Sequence, residues 1–259
     1  LDADGQPRNV AGVPPDYFSA TGQRWGNPLY LWDRHEADGF SWWIRRVEQN
    51  LQLFDLLRID HFRAFEAYYS IPASEPTAIR GTWLPGPGQP LFTALREHLG
   101  ELPVIAEDLG IITPEVEALR DANGLPGMRV LQFAFGGNPR DPYLPHNHVP
   151  RSVVYTGTHD NDTTAGWYAN AGEEERDLAR RYLGAHDEQV PWQLLRSAYA
   201  SVAEMALVPL QDVLGLGSEG RMNTPGQAGG NWSWRFSWDE TGSWAAPVLR
   251  DLCLVFGRL

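Results

Sequence analysis

Three acidic residues each follow a short apolar run in this chain. Asp60 ends the run "LLRID", Glu107 follows "PVIA", and Asp160 follows "VVYTGTH". Cleavage of a glycosidic bond requires paired carboxyl groups, because one attacks the anomeric carbon and the other protonates the leaving oxygen. If the fold brings these acids to one cleft, their residue types therefore indicate glycosidic chemistry.

Basic residues beside two of the acids suggest different roles for them. Arg58 lies two residues before Asp60, so the two side chains leave the same face of a strand, and a guanidinium there favours an ionised nucleophile. Glu107 has no such neighbour in sequence, and a poorly solvated carboxyl could keep its proton and act as an acid. Each acid could instead be only the N-cap of the following helix, although His159 beside Asp160 and the repetition at three strand ends weaken that alternative.

Other chemistries find little support in the sequence. His159, Asp160 and Asp162 could be metal ligands, but neither an HExxH motif nor an ordered calcium loop is present. The sequence also lacks a G-x-S-x-G elbow, and no glycine-rich nucleotide motif follows a strand. We therefore expect no metal and no cofactor.

Apolar periodicity places the acids on alternating strands and helices. Helices are predicted from residue 40, at 91–99, from Thr113-Pro114 to Gly124, and near 172–183 and 191–204. Strands are predicted at 56–60, 103–107, 129–135, 151–157 and 206–214, and loops at 1–34, 72–90 and 136–150. This alternation predicts an α/β fold with parallel strands whose carboxyl ends carry the active site.

Composition excludes several classes of protein. The 259 residues carry a formal charge of −12, which suits neither nucleic acid nor an anionic membrane as partner. No apolar run is long enough to span a bilayer. The single cysteine, Cys253, permits no internal disulfide, so we expect a reducing, cytoplasmic location. Eleven tryptophans supply flat faces of the kind that pack on sugar rings.

Several longer motifs carry a resemblance to a known family. They occur in the family's order between about residues 11 and 236: "GVPPDYFSATGQRWGNPLY", "LLRIDHFRAFEAYY", "VIAEDLGIITPEVEALR", "GLPGMRVLQFAF", "VVYTGTHDNDTT" and "RMNTPGQAGGNW". These segments resemble the bacterial 4-α-glucanotransferases called amylomaltases, glycoside hydrolase family 77 of the α-amylase clan.

The resemblance implies a role for each candidate residue. Asp60 would be the nucleophile, Glu107 the general acid and base, and Asp160 the carboxylate that stabilises the transition state. The residues implied in substrate binding are Arg58, His61, His159, Trp25 and Asn223. The same likeness implies a monomer acting on maltooligosaccharides, starch or glycogen. A hydrolase of the amylase type, or a glucan-binding fragment without catalysis, are the alternatives.

The family fold is a TIM (β/α)8-type barrel, and the resemblance implies that this chain holds an incomplete one. Only five strands are predicted, so we expect strands four to eight of the barrel in a C-terminal fragment that is inactive by itself. Residues 1–39 would belong to an inserted loop or subdomain over the cleft, and residues 40–259 to the barrel. Trp25 should be exposed on a mobile loop facing the acids, and the carboxyls of Asp60 and Glu107 should lie about 5–5.5 Å apart.

Overall fold

The computed structural model describes residues 2–16 and 19–258, so Tyr17, in the segment likened to a cover loop, lies outside the described residues. The chain divides into two compact units, residues 1–127 and residues 128–259. The strands are β1 Asn9–Val13, β2 Gln23–Pro28, β3 Leu57–Ile59, β4 Ala67–Pro72, β5 Thr82–Pro85, β6 Val104–Ala106, β7 Gly127–Val130, β8 Ser152–Tyr155 and β9 Met205–Leu207. The α-helices are α1 Trp32–Ala37, α2 Ser41–Leu51, α3 Gly88–Leu99, α4 Pro114–Ala122, α5 Thr164–Asn170, α6 Glu173–Leu183, α7 Val190–Ala200, α8 Leu210–Val213 and α9 Ala245–Val255.

An antiparallel sheet, in the order β2-β1-β4-β5, occupies part of the first unit. The predictions of loops at 1–34 and 72–90 are therefore wrong where β1, β2, α1 and β5 lie. These strands are rich in glycine and proline and lack the alternation of apolar and polar residues that marks a half-buried strand. Backbone pairing supplies the order instead. Strands β1 and β5 pair with β4, whose Tyr69 and Ile71 are buried with Val10, and β2 pairs with β1.

A parallel pair, β3 and β6, carries the first two acids. Arg58 lies opposite Ile105 in the register of this pair. Helices α2, α3 and α4 enclose the adjoining apolar core, whose fully buried members include Phe62, Leu91 and Val116. The predicted start of α4 is confirmed, because Thr113 is the N-cap and Pro114 the first helical residue.

The second unit contains the sheet β7-β8-β9, in which β8 and β9 run parallel. A separate apolar core lies against this sheet and buries Leu131, Val154 and Leu194. The strand predicted at 129–135 ends at Val130, because the backbone tightens into a 3₁₀ turn at Leu131–Phe133. The prediction of a strand at 206–214 is wrong beyond Leu207, because Pro209 ends the strand and Leu210–Val213 form helix α8. The sequence analysis also does not predict helices α1, α5 and α9.

The α/β class is confirmed, whereas a closed barrel is not seen. Among the described residues the strands form three separate sheets, and one of them is antiparallel. The placement of the parallel strands as numbers four to eight of a barrel, and the domain boundary after residue 39, stay predictions. Within the described residues, no helix combines the length and the apolar character needed to cross a membrane.

Candidate active site

Strand β3 presents an ion pair at its carboxyl end. Arg58 Nη2 lies 2.9 Å from Asp60 Oδ1, as expected for two residues on the same face of a strand. The Asp60 side chain is 78% exposed, so the pair adds little to stability. The pair places an accessible carboxylate beside a positive charge.

Backbone hydrogen bonds join the ends of β3 and β6. The Glu107 N–H donates to the Ile59 carbonyl at 3.0 Å, and the Phe62 N–H donates to the Glu107 carbonyl at 3.0 Å. Between these bonds the chain turns at His61, whose φ of 50° is in the left-handed region. Asp60 and Glu107 therefore leave neighbouring strands at the same edge of the parallel pair.

The Glu107 carboxyl is buried, unlike that of Asp60. Its oxygens accept hydrogen bonds from the backbone N–H groups of His61, at 2.5 Å, and Leu109, at 2.9 Å. Burial raises the pKa of Glu107, and the nearby charge of Asp60 raises it further, while both N–H donors and Arg58 oppose that rise. Glu107 therefore keeps its proton to a higher pH than an ordinary glutamate, as a general acid must.

His61 adds a neutral imidazole next to Asp60. Burial and the charge of Arg63 lower the pKa of His61 to about 4, although Asp60 acts in the opposite direction. The ring is therefore uncharged at neutral pH. It meets Trp25 edge to face, with ring centroids 4.8 Å apart.

Trp25 is 45% exposed, which confirms the predicted exposure. The prediction that it lies on a loop is wrong, because it belongs to β2. Together with Arg58, Asp60 and His61 it lines a cavity of about 700 Å³ within the first unit. Aromatic side chains that the sequence analysis did not select also line this cavity: Tyr30, Trp32, Trp43, Tyr68 and Tyr69.

The third acid, Asp160, lies in the second unit after β8. Its Oδ1 accepts a hydrogen bond from Asn223 Nδ2 at 2.6 Å and lies 3.5 Å from His159 Nε2. The Asn223 N–H donates to the His159 carbonyl at 3.1 Å. The structure thus brings together the three residues of this unit that the sequence analysis selected.

Two residues near Asp160 were missed. Arg221 donates to the Asp160 carbonyl at 2.8 Å and to the Asn223 carbonyl at 2.9 Å, so it ties the two segments together. The Trp232 ring lies 5.2 Å from the His159 ring, between centroids. Arg221 opens the motif "RMNTPG" that contains Asn223, and this proximity was the available signal.

The alternative that each acid merely caps a helix is wrong. His61 occupies the N-cap of the 3₁₀ turn after Asp60, and Thr113 occupies that of α4 after Glu107. Thr163, whose hydroxyl accepts from the Gly166 N–H, caps α5 after Asp160.

Among the described residues, no group of three or more histidine, cysteine or acidic side chains is placed to hold a metal ion. The separation of the Asp60 and Glu107 carboxyls stays a prediction.

Comparison with known proteins assigns the chain to a family. The family described as 4-alpha-glucanotransferase matches residues 1–240. The chain belongs to the 4-alpha-glucanotransferase family. This confirms the resemblance found in the sequence motifs.

Individual relatives agree with this assignment. The 4-alpha-glucanotransferase of Thermus thermophilus is 60% identical over 243 residues, which are 91% of this chain and 49% of the relative. The chloroplastic/amyloplastic 4-alpha-glucanotransferase of Solanum tuberosum is 50% identical over 264 aligned residues, covering all of this chain and 46% of the relative.

A solved structure has the same fold. Amylomaltase from Streptococcus agalactiae in complex with acarbose matches 99% of this chain and 52% of its own, with a TM-score of 0.96 and 39% identity. The chain thus spans about half the length of the relatives that it matches.

Proposed function

We propose that the protein transfers a segment of an α-1,4-glucan to the 4-hydroxyl of glucose or another glucan, by retaining double displacement. The observation that carries this proposal is the contrast between two acids at one strand edge. Asp60 is exposed and ion-paired with Arg58, whereas Glu107 is buried and has a raised pKa. Two carboxyl groups in environments as different as these suit different roles, the exposed one as nucleophile and the buried one as acid.

In the first step an Asp60 oxygen attacks the anomeric carbon of the donor glucan. The bond to the leaving 4-oxygen breaks, and Glu107 gives its proton to that oxygen. In the second step Glu107 removes the proton from the acceptor 4-hydroxyl, which attacks the glucosyl ester on Asp60 and releases the carboxylate. Two inversions at the anomeric carbon leave its configuration unchanged.

The remaining candidate residues are proposed to bind the glucan or to stabilise the transition state. Asp160 is proposed to favour the positive charge that develops on the sugar in the transition state. Arg58 holds Asp60 by the ion pair already described. His61 and Trp25, which line the cavity with Asp60, are proposed to contact the glucan, and so are His159 and Asn223 beside Asp160.

Maltotriose distinguishes the candidate activities. We expect the intact natural protein carrying this sequence to convert maltotriose into longer maltooligosaccharides and glucose, without a rise in total reducing ends. Rising reducing ends would mean hydrolysis by an amylase-type enzyme, and binding without any product would mean a glucan-binding protein. The variant Asp60→Asn is the matched control, because it keeps the side-chain shape and removes the nucleophile.

Substrate range and context are part of the proposal. Maltooligosaccharides, starch and glycogen are the proposed substrates, and the Streptococcus agalactiae structure makes acarbose a suitable binding probe. The monomeric state and the cytoplasmic location stay predictions. The name of the Solanum tuberosum relative places that protein in the chloroplast or amyloplast instead.

A further inference from the structure

A buried carboxylate, Asp212, lies in α8 and takes no part in the chemistry proposed above. Its residue is only 6% exposed. Its Oδ2 accepts hydrogen bonds from the Thr156 hydroxyl at 2.5 Å and the Thr164 hydroxyl at 2.7 Å. Its Oδ1 accepts from the Thr164 N–H at 2.7 Å. Burying a carboxylate among neutral donors is costly, so its presence calls for a physical reason.

The two threonines mark the ends of the loop that carries Asp160. Thr156 directly follows β8 and Thr164 is the first residue of α5, and both are fully buried. The intervening residues 157–163, here called the Asp160 loop, are "GTHDNDT". One carboxylate therefore holds both ends of this loop.

Further hydrogen bonds hold the loop between its two ends. Asn161 Oδ1 accepts from both the N–H and the hydroxyl of Thr158, each at 2.9 Å. Gln132 Nε2 donates to the Asp162 carbonyl at 3.0 Å. A loop closed internally and fixed at both ends presents Asp160 in one position, so a shift at either end would move the Asp160 carboxylate.

We propose that Asp212 is a positioning residue that holds the Asp160 loop in the conformation needed for glucan transfer. The inference rests on the proposed function for its catalytic part, because it assigns Asp160 a role in the reaction. A carboxylate suits this task since its two oxygens accept three hydrogen bonds at once. Misplacing a catalytic group by about 1 Å costs on the order of 100-fold in rate.

The hydrogen bonds from Thr156 and Thr164 to Asp212, here called the clamp, can be tested without measuring activity. In Asp212→Ala, hydrogen–deuterium exchange of a peptide covering residues 157–165 should rise clearly above that of the unchanged protein. Asp187→Ala is the matched control, because Asp187 binds Tyr168 and Arg180 in the same unit and, among the described residues, forms no hydrogen bond or ion pair with the Asp160 loop. Thr156→Val removes one donor at nearly constant volume and should give a smaller rise, so the test survives if Asp212→Ala fails to fold.

Kinetics of the intact natural protein test the positioning role. Asp212→Ala should lower kcat at least about tenfold and leave KM within about twofold, because a displaced Asp160 weakens the transition state more than the bound substrate. Asp212→Asn should recover most of the rate, since both threonine hydroxyls can rotate to accept from the amide. Unchanged exchange of the loop in both variants, or an unchanged kcat, would overturn the inference. If exchange of the loop is faster in Asp212→Ala, but the unchanged protein shows no glucan transfer, the positioning of the loop by Asp212 is supported and the proposed function is refuted.

Discussion

At the scale of single residues, the surroundings of Asp60 and Glu107 determine their chemistry. Both follow a parallel strand, and they differ in contact with solvent and charge. Asp60 is exposed and ion-paired with Arg58, whereas burial favours the neutral form of Glu107 over the opposing effect of two N–H donors. The spacing of Arg58 and Asp60 made the first half predictable from sequence. The burial of Glu107 depends on tertiary contacts that the sequence only suggests.

Titration of Glu107 tests this difference. Carboxyl ¹³C NMR should show the pKa of Glu107 above the ordinary value of 4.5, and Asp60→Asn should lower it by removing a negative charge. The pKa of Glu107 is raised in the folded state. Its contribution to the free energy of unfolding is therefore fully present at pH values below 4.5 and is lost as the pH rises through the folded-state pKa. A Glu107 pKa at or below 4.5 in the folded protein would contradict the proposed acid role.

His61 should titrate in the opposite direction. The folded protein should show a His61 pKa of about 4, and the urea-unfolded chain one near 6.5, by proton NMR of the ring. Here the folded pKa is depressed, so the stability contributed by neutral His61 is present above about pH 6.5 and is lost as pH falls through about 4. A single inflection near 6.5 in the folded state would show that the ring is solvated.

At the scale of elements, local signals predicted helices better than strands. The start of α4 follows from Thr113 and Pro114, and its end follows from Gly124, whose φ of 62° favours glycine. These features act within a few residues, so the sequence displays them. The sheet β2-β1-β4-β5 depends instead on pairs such as Ala11 with Ser70, far apart in the chain. The sequence of β2 has no alternation of apolar and polar residues that would predict such pairing.

Gly12 tests the importance of that sheet for placing Trp25. A Cβ at this position would lie 2.1 Å from the Gln23 carbonyl oxygen in β2 and 2.6 Å from Ile71 Cδ1. Gly12→Ala should therefore lower the free energy of unfolding by about 1–3 kcal/mol and disturb the Trp25 fluorescence. Gly136→Ala is the control, since a Cβ there would meet nothing within 4 Å. Equal urea-unfolding curves for both variants would show that the close approach at Gly12 is unimportant.

At the scale of the whole molecule, the candidate residues fall in two compact units. Residues on one strand edge or in one motif, such as Arg58 with Asp60 and His159 with Asp160, could be selected from sequence. Asp212 could not be assigned a role in that way, because its contacts with the Asp160 segment join residues about 50 to 60 positions apart. Family membership connects both units to one proposed reaction.

Trapping of the glucosyl ester tests the central claim, double displacement at Asp60, most directly. Fluoride leaves without needing a proton, so the Glu107→Gln variant of the intact natural protein should still react with an α-maltotriosyl fluoride. The second step needs Glu107 as base, and the ester should accumulate. Peptide mass spectrometry should then find the sugar on Asp60, and the double variant Asp60→Asn with Glu107→Gln should carry none. An adduct on another residue, or none while the fluoride is consumed, would contradict the mechanism.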